Sequence, residues 1–210
     1  HLRKVHFDKE NSESEFLDQF FQSNSFWLKE NDGSWLRLKN KLDDALMFQN
    51  KLKRKVLYLH GLESKQGGPK VEFLQKQNFL VLAPSMDYKE ESKNCIIDLA
   101  GQLQGEEFDL IIGSSIGGYA AYHLAKNLYV KQLMLLNPAL SQQSIVLNKP
   151  QEKHQISASI NLHLGKHDEV IDPKATLDFL HKEELDYSVF YYDYGHRTPM
   201  STFENHYWFW

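Results

Sequence analysis

The chain has 210 residues, 41% of them hydrophobic and 25% charged, with 24 Lys+Arg against 28 Asp+Glu for a net charge of −4. Such a balance excludes a disordered chain and supports a core of ordinary domain size, and the lack of a basic excess excludes a nucleic-acid partner. No stretch is long and apolar enough to span a bilayer, so no membrane role is expected, and the lone Cys95 allows no intramolecular disulfide and fits a reducing, cytoplasmic setting.

Residues 1–54 read as an N-terminal extension packed on a core of residues 55–210. Glu13 to Phe21 reads as a helix. "FWLKENDGSWLRL" sets Asp32-Gly33 between two apolar runs, which signals a hairpin. Beside parallel strands, that antiparallel pair would make a mixed sheet. "KLKRK" at 51–55 reads as a solvated connector.

From Lys55 on, short apolar runs alternate with helical stretches. Val56 to Leu59 is a predicted strand, Pro69 to Gln77 a helix and Phe79 to Ala83 a strand. Ser92 to Leu103 spaces Cys95, Ile96, Leu99 and Leu103 as a helix does. Phe108 to Ile112 is a strand and Ile116 to Leu128 a helix. Gln132 to Leu136 and Ile160 to Leu164 are strands, Pro173 opens a helix to Lys182, and Tyr187 to Tyr192 is the last strand. A final helix near Ser201 carries Phe203, Tyr207 and Trp208. The pattern predicts an α/β domain: a mainly parallel sheet with helices on both faces, and every strand's carboxyl end at one edge, where ligands bind.

At that edge, Gly113-Ser114-Ser115-Ile116-Gly117 matches G-x-S-x-G between a strand and a helix. A strand turning sharply into a helix strains its central residue and crowds the positions two before and two after it. Gly113 and Gly117 stand at those two positions, and Ser115 is the displayed residue. The competing reading is a serine N-cap.

A serine hydroxyl needs a base to become a nucleophile, and the base needs a carboxylate to orient it. Asp168 lies just past the strand "INLHL" and is preferred to Asp172, which reads as a helix N-cap before Pro173; Glu169 should point elsewhere. His196 follows Gly195 after the last strand. His163 lies inside a strand, and His123 and His181 lie in helices. His163 and His167 have a helical ligand spacing on a strand-and-turn segment, which argues against a metal pair.

"YLHGLES", residues 58–64, follows the first parallel strand. The backbone N–H groups of Leu62 and Ile116 are the expected oxyanion donors, with Gly61 allowing close approach and His60 reading as a buried ring that holds the loop. "GLESKQGGPK" lacks the Gly-Lys-Ser/Thr that a phosphate loop requires.

"YLHGLES", "IIGSSIGGYAA", "LLNPAL", "GKHDEVID" and "YGHR", in that order from Val56 to Arg197, resemble the α/β-hydrolase superfamily, and more narrowly its small YqiA-like bacterial esterases. The resemblance implies Ser115 as nucleophile, Asp168 as acid, His196 as base, and little or no lid. The segment from Pro138 to Ile160 is accordingly short and polar, which suggests small or short-chain acyl groups. Neither residues 1–54 nor the tail "HYWFW" is matched by the resemblance.

The expected function is hydrolysis of a small acyl ester through an acyl-enzyme, with no cofactor and no metal. The alternatives are a thioesterase or amidase with the same triad, or a non-catalytic binding protein of this fold. The aromatic tail leaves a dimer contact open as the oligomeric state.

Overall fold

A sheet strand whose residues are apolar at every position has two dry faces, and both need covering. The computed structural model describes residues 27–29, 35–37, 53–141 and 145–205. The chain divides into two units, 1–51 and 52–210. In the first, β1 (Trp27–Lys29) pairs antiparallel with β2 (Trp35–Arg37), with Leu28 opposite Leu36. This is the hairpin expected around Asp32-Gly33. The helix expected at Glu13 to Phe21 lies outside the described residues.

The second unit carries β3 (Lys55–Leu59), α1 (Pro69–Lys76), β4 (Leu80–Leu82), α2 (Cys95–Gln102), β5 (Glu107–Ser114), α3 (Ile116–Ala125), β6 (Tyr129–Leu136), β7 (Ser159–Gly165), α4 (Pro173–Lys182), β8 (Tyr187–Tyr192) and α5 (Met200–Glu204). Its six strands form one sheet in the order β4-β3-β5-β6-β7-β8, and every neighbouring pair is parallel. The expectation of a mixed sheet is therefore corrected: β1 and β2 form a two-stranded sheet of their own. A short loop lets neighbouring segments pair antiparallel, whereas the long crossovers after β3 return each strand parallel to the last.

Alternation along the strands sorts the core into two layers. Leu57, Leu59, Ile111, Leu133, Leu135 and Leu162 face α2, α3 and α4, where Ile96, Leu124 and Leu180 meet them. Val56, Tyr58, Leu110, Ile112, Met134 and Leu136 face α1 and α5, and bury Val71, Leu74 and Phe203. Strands β5 and β6 run past their apolar stretches because ladder pairing continues through Glu107↔Tyr129 and Phe108↔Val130. Helix α4 spans Pro173–Lys182 as expected, whereas α2 and α3 are shorter than the spacing predicts. A 3-10 turn at Glu90–Ser92 precedes α2, and the Asn127 side-chain amide bonds the His123 carbonyl at 3.0 Å where α3 ends. Helix α5 spans Met200–Glu204 and buries Phe203; Tyr207 and Trp208 lie outside the described residues.

Strand β3 leads to β4 on one side and β5 leads to β6 on the other, so the strand order reverses between β3 and β5, and in open α/β sheets ligands bind at the carboxyl edge beside such a switch point. Between β6 and β7 the described residues form no helix or strand. Leu140, Leu147 and Ala158 pack into the core, and Asn148 N–H donates to the Lys93 carbonyl at 2.8 Å. No helical cap stands among the described residues of this segment. Among all described residues, no helix is long and apolar enough to cross a membrane.

Just past α3, the buried Lys126 ammonium lies 2.9 Å from Glu183 and 3.1 Å from Glu152, and Glu183 also accepts the Tyr122 hydroxyl at 2.7 Å. The bonds from Lys126 and then Tyr122 hold the Glu183 carboxyl below the ordinary glutamate value of 4.5. A lowered carboxyl contributes stability above its unfolded value and loses it as pH falls through the folded one. The melting temperature should therefore fall on acidification below the ordinary glutamate value of 4.5, and Glu183→Gln should flatten part of that fall, measured by thermal denaturation across pH.

Candidate active site

Strand β5 ends at Ser114 and α3 begins at Ile116, so Ser115 alone makes the reversal. Its backbone sits at φ 54° and ψ −121°, a left-handed conformation that costs a side-chain-bearing residue about 1–3 kcal/mol. Neighbouring backbone holds it there. Ser115 N–H donates to the Leu136 carbonyl at 2.9 Å, and the Ser115 carbonyl accepts from Gly118 N–H at 2.9 Å and Ala139 N–H at 3.0 Å. The turn also needs bare backbone around it. A Cβ on Gly113 would lie 2.3 Å from the Gly117 carbonyl oxygen, and one on Gly117 would lie 2.4 Å from the carbonyl oxygens of Leu59 and His60. The Ser115 hydroxyl makes no cap bond to the helix, so the N-cap reading fails.

That hydroxyl lies 2.9 Å from His196 Nε2. The other ring nitrogen, Nδ1, lies 2.9 and 3.0 Å from the two carboxylate oxygens of Asp168. Facing a carboxylate, Nδ1 carries the proton and donates it, which leaves the Nε2 lone pair for the serine. The Asp168 side chain is 1% exposed and the His196 ring 17%. Burial of the carboxylate is tolerated because Oδ1 also accepts the Val170 and Ile171 N–H groups, each at 2.9 Å. Asp172 is spent elsewhere: it caps α4, accepting Lys174 N–H at 2.9 Å.

Gly61 brings the loop after β3 against this turn, since a Cβ there would lie 3.3 Å from Ser115 Cβ. The next residue, Leu62, is 46% exposed at the rim. Ile116 is the first residue of α3, so its N–H has no partner within the helix. His60 has the structural role expected for it. Its Nε2 accepts Met86 N–H at 3.1 Å and its Nδ1 donates to the Gly61 carbonyl at 2.8 Å, which uses both nitrogens. The other histidines among the described residues stand apart. His123 is in α3 and His181 in α4. His163 is in β7, stacked on Phe190 at 5.0 Å, and His167 pairs with Asp193 at 2.7 Å. Among the described residues, no group of three or more His, Cys, Asp or Glu is placed to hold a metal ion.

Two residues join the site that the motifs did not assign to it. Glu169 corrects an expectation: its carboxylate does not point elsewhere but accepts the His196 N–H at 3.3 Å, beside Gly195. The turn after β7 curls back over the histidine loop and carries Glu169 with it. Asn137 follows β6, is 2% exposed, and bonds its side chain to the main chain of the histidine loop. The pattern "LLNPAL" contains it, yet only its buried, left-handed setting at a strand end, with φ 43°, separates it from a loop asparagine.

A parallel sheet, an elbow at the strand carboxyl edge and histidine and aspartate loops beside it together define the α/β-hydrolase fold, and solved structures carry the same architecture. The Pyrococcus furiosus esterase Pf2001 matches with a TM-score of 0.54 and 17% identity, over 86% of this chain and 85% of that one. MGS-M1, an alpha/beta hydrolase enzyme from a Medee basin deep-sea metagenome library, matches with a TM-score of 0.52 and 13% identity, over 83% of this chain and 84% of that one. The chain belongs to the uncharacterised protein family UPF0227, whose model matches residues 55–159 and so includes Ser115 but neither Asp168 nor His196. A UPF0227 protein of Serratia proteamaculans (strain 568) is 26% identical over 151 residues, which span 60% of this chain and 82% of the relative.

Proposed function

We propose that the protein is a serine hydrolase that cleaves small or short-chain carboxylic esters through an acyl-enzyme. One observation carries the reading: a strained serine hydroxyl, an imidazole and a buried carboxylate stand in a line of bonds of 2.9 to 3.0 Å. The fold shared with the Pyrococcus furiosus esterase supports it.

The reaction runs in two halves. Ser115 Oγ attacks the ester carbonyl carbon as its proton passes to His196 Nε2. The carbonyl oxygen becomes an oxyanion, which Leu62 and Ile116 N–H groups hold; loss of one such donor typically costs ~10²–10³ in turnover. Asp168 stabilises the imidazolium formed and keeps its Nδ1 proton in place. Collapse breaks the carbon–oxygen bond to the alcohol, which leaves with the proton from Nε2. A water then gives its proton to His196 and attacks the acyl-enzyme, and Ser115 leaves with that proton regained. The short segment after β6, with no helical cap among its described residues, favours small acyl groups.

Ser115→Ala should abolish hydrolysis of p-nitrophenyl acetate and butyrate, and abolish labelling by a fluorophosphonate probe, with the melting temperature within a few degrees of wild type. Wild-type protein that is folded but neither hydrolyses nor labels would instead indicate a binding protein. A panel of esters, acyl thioesters and anilides assigns the preferred carbonyl.

A further inference from the structure

The turn after β6 touches both halves of the site. Its backbone holds the serine, because the Leu136 carbonyl accepts Ser115 N–H and Ala139 N–H donates to the Ser115 carbonyl. The side chain between them holds the histidine loop. Asn137 Nδ2 donates to the His196 carbonyl at 2.6 Å and to the Gly195 carbonyl at 3.3 Å, while its Oδ1 accepts Gly165 N–H at 2.7 Å. Its own N–H donates to the His163 carbonyl at 2.9 Å. One residue thus ties the end of β6 to the end of β7 and to the segment that carries the imidazole.

That segment needs a tether. Strand β8 ends at Tyr192 and α5 starts at Met200, so His196 lies in neither. Two side chains hold the His196 main chain: Glu169 on its N–H at 3.3 Å in an exposed contact, and Asn137 on its carbonyl at 2.6 Å in a more buried one. Both amide hydrogens of Asn137 and its oxygen are engaged, which fixes the amide's orientation. A backbone at φ 43° is an uncommon cost for a side-chain-bearing residue, and asparagine tolerates it better than most.

We infer that Asn137 is a positioning residue: it sets the reach from His196 Nε2 to Ser115 Oγ by anchoring the histidine loop to the same turn that anchors the serine. This rests on the serine-hydrolase reading. Asn137 touches neither reacting atom, so it acts on how often the ring is in place and not on substrate affinity. Productive geometry is steep in distance, and a misplacement of about 1 Å is able to cost ~10² in rate.

Asn137→Asp is the sharpest test. It keeps the shape, the tolerance of a left-handed backbone and the acceptor for Gly165 N–H, but sets an oxygen against the two carbonyls. Asn137→Gly removes the side chain without backbone strain and serves if the aspartate variant does not fold. Either folded variant should lose about 10–100-fold in kcat with KM within about twofold. Fluorophosphonate labelling of Ser115, which uses the same base, should slow by a similar factor. Hydrogen exchange at residues 195–197 should quicken while exchange in β5 and β6 stays as in wild type. A folded variant with wild-type labelling rate and wild-type exchange at 195–197 overturns the inference. Exchange is read without turnover. A wild-type chain that never labels therefore defeats the hydrolase reading alone, and unchanged loop exchange defeats the tether alone.

Discussion

Asp168→Asn should lower kcat by about 10⁴-fold while the protein stays folded, because an amide in that place selects the wrong imidazole tautomer. The geometry makes the sign definite. Oδ1 of residue 168 accepts N–H bonds from Val170 and Ile171, so an asparagine must keep its oxygen there and turn its NH₂ toward His196. Facing an N–H donor at 2.9 Å in place of an acceptor, Nδ1 gives up its own proton and Nε2 takes one. The serine then meets an N–H where it needs a lone pair. Steady-state hydrolysis of a p-nitrophenyl ester measures the loss, and circular dichroism and a melting curve separate it from unfolding. Activity within tenfold of wild type would remove Asp168 from the mechanism. It would leave Glu169, the next carboxylate on the same turn, as the group to test.

Gly113→Ala should be strongly destabilising, at a cost of about 3 kcal/mol or more by overpacking. The added carbon would sit 2.3 Å from the Gly117 carbonyl oxygen, 2.7 Å from Ala121 Cβ and 2.7 Å from Gly118 Cα. Two of those three atoms are backbone, so no side-chain rotation relieves the clash. The strand must draw back from α3, which widens the turn that strains Ser115. Denaturant unfolding should show a lower midpoint, and the surviving folded fraction should label more slowly with fluorophosphonate. Gly67, where no heavy atom lies within 4 Å of an added carbon but φ is +85°, is the control: there alanine strains only the local backbone, and labelling should match wild type.

Much of the fold was legible along the chain because its signals are local. Alternating apolar runs marked all six strands of the sheet, and Pro173 after Asp172 marked the start of α4 to the residue, since a capping carboxylate and a fixed φ act within one turn. Strand ends were less visible. Pairing at Glu107↔Tyr129 depends on a neighbour distant in sequence and not on either residue's own apolarity. The mixed sheet failed for a related reason. Asp32-Gly33 signals a hairpin, but nothing in those residues says which other strand the hairpin joins.

The candidate site divides in the same way. Gly-x-Ser-x-Gly after a strand is a local pattern, because crowding at the elbow is a property of five consecutive residues. The order of strands then put Asp168 and His196 at the same edge. What those patterns did not reach was the support: Asn137 reads as an ordinary residue before proline, and Glu169 as an acid beside another. Their partners are the backbone of His196, 59 and 27 positions away.

From the sequence alone came the alternation of strands and helices, the strained serine turn and the expectation that three chemically suitable side chains share one rim, because each follows from short-range geometry and chain order. Only the tertiary structure decided that the imidazole lies 2.9 Å from the hydroxyl, that the carboxylate is buried and doubly bonded by backbone, and that one asparagine joins the two loops. Those are distances between segments that pack independently. The placement of one segment against another is set by the whole core rather than by any run of residues within it.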